Sequence, residues 1–448
     1  MTTRRRGPFY VLALALIAAL VAFAGCGGDD DSSSSSGTSG GTSTGAANKD
    51  VKGNISVVGI WVAQEQKNFQ RVVDAFNKQY PNVKVKYNPA GDNTPTVLST
   101  ALSGGRPPDL ASVGQPGLVK QFQKQGKLKP LEFARKDLEA NFSPDVVKLG
   151  TIGGKIYSFI PKGANKSTVW YNVSAFKNAG IQPPKTWDEF LQAAKTLKAS
   201  GTPAYSLGAG DGWTLTDLFE NIYLRQAGPD KYDQLTDHKI PWTDPSVKSA
   251  LKLMGDVFSD TSNIVGGTSG ALQTDFPTSV SKVFVDPPKA AQVIEGDFVP
   301  GVVEGKTTLK AGTGYNVYDF PSVDGSQPSV VGGGDNLIMF KDTPAAEAFV
   351  KFMASPAAGK VWVSNGGVSS PNKNVPASAY PNAITRATAL KLAQAKTFRF
   401  DMSDLSPAEF GGTPGQGEWK ILGDFLKNPK DVDGTASALE KAAAKAYK

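Results

Sequence analysis

The chain is poor in the residues that hold metals and disulfides. Cys26 is the only cysteine and His238 the only histidine among 448 residues. A disulfide within the chain is excluded, and zinc or iron–sulfur ligation has almost nothing to draw on. No stretch carries the spacing of a calcium-binding EF-hand, so no metal site and no cofactor are expected. Signals for hydrolysis are also lacking. There is no G-x-S-x-G elbow, and a Ser-His-Asp triad would have to recruit His238, which sits in the polar run Thr236-Asp237-His238-Lys239 and reads as an exposed loop. No phosphate loop is present either: Gly359-Lys360 has the wrong spacing and is followed by Val361. Charges of both signs are interspersed, with no basic stripe to bind nucleic acid. The longest apolar run, Phe9 to Ala24, is shorter than the roughly 20 residues a membrane-spanning helix needs.

That run has a different use. Arg4-Arg5-Arg6 precede it and the small residues Ala24-Gly25 lead into Cys26, the layout of a signal peptide over residues 1–26. Residues 27–50 are nearly all Gly, Ser, Thr and Asp. They bury no apolar area to offset ordering, which predicts a flexible linker. Of the 48 basic side chains, the three arginines leave with the signal. The remaining 45 against 41 acidic give a net charge of +4.

The body that follows, about 400 residues, is too long for one compact core and predicts two domains. Ile55 to Trp61 reads as a buried strand. Phe69, Val72, Val73, Phe76 and Tyr80 then mark one face of a helix, stopped at Pro81-Asn82. Val83, Val85 and Tyr87 alternate with lysines as a second strand. Strand, helix and strand with short connections make a βαβ unit, hence an α/β body with parallel or mixed sheets. Further strands are expected at 108–113, at 156–160 ending on Pro161, and at 168–171. Helices are expected from Leu118 to Gln125, after a Thr186/Glu189 capping box, after Thr343-Pro344, and from Ala436 to Lys448.

Aromatic rings stand beside polar, glycine-rich turns. Trp61 is followed by Gln64 and Glu65; Trp213 follows Gly210-Asp211-Gly212; Phe298 follows Glu295-Gly296-Asp297; Trp419 follows Gly415-Gln416-Gly417-Glu418. A saccharide has apolar C–H faces and a polar rim, so its pocket needs flat rings and a few placed amides and carboxylates. Core packing is the competing fate of each ring. It is harder for Trp213 and Trp419 if they lie in loops.

Several segments carry a resemblance. Phe23-Ala24-Gly25-Cys26 resembles the lipobox of bacterial lipoproteins, although Phe23 stands where Leu is usual; an ordinary secreted protein is the alternative. Five segments stand in the order found in family 1 extracellular solute-binding proteins of ABC sugar importers, the maltose-binding-protein group. They are Gly105-Arg106-Pro107-Pro108-Asp109-Leu110, Gly154-Lys155-Ile156-Tyr157, Trp170-Tyr171-Asn172, Pro184 to Phe190 and Glu295-Gly296-Asp297-Phe298. Gln115-Pro116-Gly117-Leu118, Leu224 to Asp233, Ile240 to Pro245, Gly332-Gly333-Gly334-Asp335 and Arg399 to Asp404 are similar to the alpha-glucoside-binding branch.

The resemblance implies a two-lobe periplasmic-binding-protein-like fold with the ligand in a cleft between discontinuous lobes. It assigns 51–164 and 320–367 to an N-lobe, 165–319 and 368–448 to a C-lobe, with crossovers near Asn165 and Val317. It implies ligand contacts by Trp61, Gln64, Gln115, Asn165, Asp211, Trp213, Asp297, Phe298, Asp335, Arg399 and Trp419, and lipidation of Cys26. Asp335 is alternatively a residue that holds the Gly332–Gly334 turn, and Arg399 a structural ion pair. Trp170 and Trp187 read as packing and capping residues. The implied function is not enzymatic. A monomer anchored to the outer face of the cytoplasmic membrane captures a saccharide, an alpha-glucoside di- or oligosaccharide, and delivers it to permease subunits. A ligand sensor signalling to a receptor and an anchored glycoside hydrolase are the rivals.

Overall fold

The first βαβ unit forms as its periodicity predicts. Strand Gly53–Gly59 leads into helix Ala63–Gln79, and strand Val83–Pro89 returns parallel to the first, in register from Gly53↔Val83 to Gly59↔Pro89. Burial in the first strand alternates instead of running unbroken. Ile55 and Val57 face the core built on the helix, whereas Val58 packs on a smaller cluster with Leu98 and Ala111. This is a computed structural model describing residues 48–448. The signal segment, Cys26 and all but the last residues of the 27–50 linker lie outside the described residues.

The principal sheet has six strands. Its order is Phe398–Phe400, Val330–Met339, Leu110–Val113, Gly53–Gly59, Val83–Pro89, with Ser158–Asn165 on the other side of the long strand Val330–Met339. The sheet is mixed. Val330–Met339 runs parallel to Phe398–Phe400 and antiparallel to Leu110–Val113 and Ser158–Asn165. A second sheet places Thr168–Asn172 between Gln292–Ile294 and Tyr315–Asp319, all antiparallel.

Pro161 does not end its strand, contrary to expectation; pairing continues to Asn165. Register slips between Asp335 and Leu337, opposite Ile160 and Pro161. The N–H that proline lacks therefore falls where the ladder is already interrupted.

Two large apolar cores form. One holds Ile55, Phe69, Phe76, Phe159, Leu337, Phe349 and Trp362; the other holds Val169, Phe190, Phe219, Tyr232, Met254, Val331, Phe410 and Leu439. Strands Ser158–Asn165 and Val330–Met339 pass between them. The Gly332-Gly333-Gly334 run is thus not a turn but the middle of an extended strand. Each glycine admits a close neighbour. A Cβ at Gly332 would lie 2.4 Å from the Phe398 ring, one at Gly333 2.9 Å from Cε of Lys166, and one at Gly334 2.4 Å from Cγ2 of Ile160.

Helix starts follow their local signals. Thr186 and Glu189 form both halves of the capping box, and Thr343 caps the helix beginning at Pro344. His238 departs from the exposed loop expected of it. It turns at φ 53°, pairs with Glu440 at 3.2 Å and lies against Tyr447, which half-buries it. Among the described residues no helix is long and apolar enough to cross a membrane.

Candidate functional site

Some of the residues singled out in sequence, among them Gln64, Trp213, Asp297, Phe298 and Asp335, lie along the seam between the two cores. Its floor is the pair of crossing strands, where Asp335 stands opposite Lys162. Lys162 Nζ donates to Asp335 at 2.9 Å and to Glu65 at 2.7 Å, and the Trp61 indole N–H donates to Asp335 at 2.7 Å. Burial opposes the Lys162 charge, yet Asp335 and Glu65 outweigh it and hold its pKa above the usual lysine range. Glu65 reaches in from the first turn of helix Ala63–Gln79.

Four residues along the chain, a second buried lysine repeats the arrangement. Lys166 Nζ donates to Asp217 at 3.0 Å and to Asp401 at 2.5 Å, with Asp404 at 3.8 Å. Asp404 also approaches the first core's elements: a Cβ on Gly114 would lie 3.8 Å from its Oδ1. Burial and the neighbouring Asp401 charge push the Asp404 carboxyl well up. Asp401 is held low: burial opposes its charge, but Lys166 beside it prevails.

Above the lysines sits a cluster of three rings. Trp213 meets Phe298 at 5.9 Å and Phe276 at 5.4 Å, and Phe276 meets Phe298 at 5.1 Å. Lys166 lies 5.6 Å from the Trp213 ring and Lys162 5.8 Å from the Phe298 ring, within cation–π range. Trp213 is not in a loop, as its context suggested. It opens helix Trp213–Ala227, entered through Gly212 at φ 80°. Asp211 accepts from the Phe276 amide at 2.6 Å and thereby fixes that ring's backbone.

The opposite wall supplies Asp92, from the short turn Gly91–Asn93. Burial and the facing Asp211 raise its pKa to about 7, and a hydrogen bond from Trp213 works the other way. Gln64 also crosses the seam: a Cβ on Gly305, in helix Val299–Lys306, would fall 2.8 Å from its side chain.

Asp297 accepts from the Ser369 hydroxyl and leaves Oδ1 without a partner, and burial raises its pKa to about 6. Gln115, just before helix Pro116–Lys124, packs its side chain on Gly412 and leaves its buried Oε1 unpaired. A groove of about 590 Å³ begins beside that helix, lined by Thr96, Ser99, Thr100, Gln121, Thr413 and Gln416 among others.

Three of the expected contacts have other occupations. The Asn165 amide is used at both ends, accepting from the Ser167 N–H at 3.0 Å and donating to the Thr388 carbonyl at 3.3 Å. Arg399 is in an ion pair with Asp233 at 2.6 Å. Trp419 lies within helix Gly417–Lys427, buried against Gly212, whose Cβ would be 2.7 Å from its own. Trp170 and Trp187 are buried packing residues as read. Sequence reasoning missed Asp92, Lys162, Lys166 and Phe276 altogether. Their only advance signal was position: the two lysines flank Gly163-Ala164-Asn165, the segment read as a crossover.

Two lobes joined by crossing strands, with a polar and aromatic seam between them, define a bacterial solute receptor of the periplasmic-binding type. Solved structures share this architecture. The bacterial solute receptor AcbH superposes with a TM-score of 0.77 at 18% identity, covering 89% of this chain and 100% of that one. A chitin oligosaccharide binding protein does so with 0.76 at 22% identity, covering 88% and 99%. The chain belongs to the bacterial extracellular solute-binding protein family, whose model matches residues 62–360. It is 30% identical to the osmoprotective compounds-binding protein GgtB of Synechocystis over 390 residues, 85% of this chain and 90% of that protein. It is equally 30% identical to the alpha-glucosides-binding periplasmic protein AglE of Rhizobium meliloti over 407 residues, 88% of each.

Proposed function

We propose that this chain captures an alpha-glucoside di- or oligosaccharide outside the cytoplasmic membrane and hands it to the permease subunits of an importer. The ring cluster Trp213, Phe276 and Phe298, set above buried lysine–carboxylate pairs at the seam, carries the reading. Rings suit the C–H faces of a sugar; the free acceptors of Asp297 and Gln115 suit its hydroxyls. Similarity to a protein named for alpha-glucosides favours that class of sugar.

The ligand contacts in this reading are Gln64, Glu65, Asp92, Gln115, Trp213, Asp297, Phe298 and Asp335, while Trp61, expected as a contact, is buried in the first core. Trp61 acts through Asp335 and Asn165 holds the crossover. This reading puts the lobe passages at Ala164–Lys166 and within Val330–Met339 rather than near Val317; packing of Phe320, Val323 and Val331 in the second core and of Leu337 in the first supports it. The protein is a monomer held at the membrane by a lipid on Cys26, and no turnover is involved. A thermal-shift screen against a sugar panel tests this: a ligand bound only by the folded state raises the melting temperature. Maltose, trehalose or sucrose should raise it; no shift with any di- or oligosaccharide overturns the reading.

A further inference from the structure

The seam is lined by more carboxyl groups than cations, and its cations are already taken. Glu65, Asp92 and Asp335 approach from one side and Asp211 and Asp297 from the other. Against these stand Lys162 and Lys166. Each is buried, and each already donates to two carboxylates at 2.5–3.0 Å. Among the described residues, the nearby arginines are engaged elsewhere. Arg399 is held by Asp233, and Arg225 donates to the Asn221 and Ser329 carbonyls beneath Phe320.

We infer that this seam selects its ligand by charge, admitting neutral and basic polyhydroxylated compounds and rejecting sugar phosphates and sugar acids. The inference rests on the saccharide reading above and deepens it. A phosphate placed here meets carboxyl oxygens and finds no free donor cation. To gain one it must displace the half-exposed Glu65 or the buried Asp335 from Lys162, and displacing Asp335 leaves a carboxyl buried without its counter-charge. The Asp297 oxygen without a partner repels an anion and accepts from a hydroxyl or an ammonium. Specificity thus comes from a built-in repulsion as well as from fitted contacts. Nothing comparable opposes an amine, which meets acceptors on both walls.

The test is calorimetric titration of the intact mature protein with matched sets: trehalose, its 6-amino-6-deoxy analogue and trehalose 6-phosphate, and then sucrose with sucrose 6-phosphate. The amino analogue should bind at least as tightly as the neutral sugar and the phosphates at least a hundredfold more weakly. A phosphate within threefold of its neutral parent overturns the inference while leaving the saccharide reading intact. Binding of none of the neutral sugars or the amine removes both. Glu65→Gln supplies an independent readout, since it removes one of the two carboxylates that hold Lys162. The ratio of neutral to phosphate affinity should fall at least tenfold in that variant. If the ratio is unchanged in Glu65→Gln and also in Asp92→Asn, with both folded by circular dichroism, the carboxyl groups are not the source of selection.

Discussion

The indole nitrogen of Trp61 and the carboxylate of Asp335, 274 positions apart in the chain, meet at 2.7 Å. The same carboxylate holds Lys162. One acid therefore ties the end of the first strand to the two strands that cross between lobes, and its neutralisation has a defined cost.

Asp335→Leu leaves Lys162 with Glu65 alone. Removing one partner of a buried ion pair typically costs about 3–5 kcal/mol. Trp61→Phe removes one hydrogen bond to a charged group, and the expected cost is smaller, about 1.5–3 kcal/mol. Urea melts should rank the two in that order; equal losses would mean that packing of the indole on Phe69 and Trp362, not the bond, sets its value.

The rings divide by environment. Trp213 is half-exposed at the seam, whereas Trp419 is buried against Gly212. Trp213→Ala should cut ligand affinity by about 2 kcal/mol or more, some thirtyfold, with the fold nearly intact. Trp419→Ala should instead destabilise by about 3–5 kcal/mol. Titration and denaturant melts on both variants separate the roles. Normal binding by a folded Trp213→Ala protein would move the site elsewhere.

Asp92 makes the seam pH-sensitive. Its pKa of about 7 in the folded protein exceeds the roughly 3.9 of an unfolded aspartate. Between these values the folded state holds more protons, so stability falls as pH rises from about 4 to about 7. Above pH 7 the whole penalty of an ionised, half-buried carboxylate remains. Asp297, at about 6, adds in the same direction over a narrower window. Asp92→Asn should flatten the melting-temperature profile over the interval from about pH 4 to the folded-state value of about 7. A wild-type profile that rises with pH across it would contradict the assignment.

The glycine run should resist the smallest substitution. Gly334→Ala drives a methyl to 2.4 Å from Ile160 and 2.9 Å from the Lys162 carbonyl, a backbone atom that cannot swing aside. Overpacking of this kind costs about 1–3 kcal/mol, to be read from the shift of the denaturation midpoint.

The anchor can be tested apart from the fold. Cys26→Ser should release the protein into the medium or leave it unprocessed. Absence of labelled fatty acid on the wild type would refute lipidation.

Sequence by itself determined what depends on neighbours along the chain. The βαβ start follows from apolar spacing at Phe69, Val72, Val73 and Phe76, and the capping box from Thr186 and Glu189, because the partners lie within one or two helical turns. Motif order was enough for the family and so for the two-lobe fold. Tertiary structure decided whatever depends on which distant segments meet. Gly332-Gly333-Gly334 looks like a turn in one dimension. It is a strand because it pairs with Gly163–Asn165 of the neighbouring strand, and it is glycine because Phe398, Lys166 and Ile160 lie where a Cβ would be. Trp213 and Trp419 have the same local look, yet one stands at the seam and the other lies buried, since only one of them faces the opposite lobe. Lys162 and Lys166 read as two ordinary charges in a strand region. Their pairing with Glu65, Asp335, Asp217 and Asp401 arises from four other parts of the chain, and no local pattern encodes a charge balance assembled at such distances.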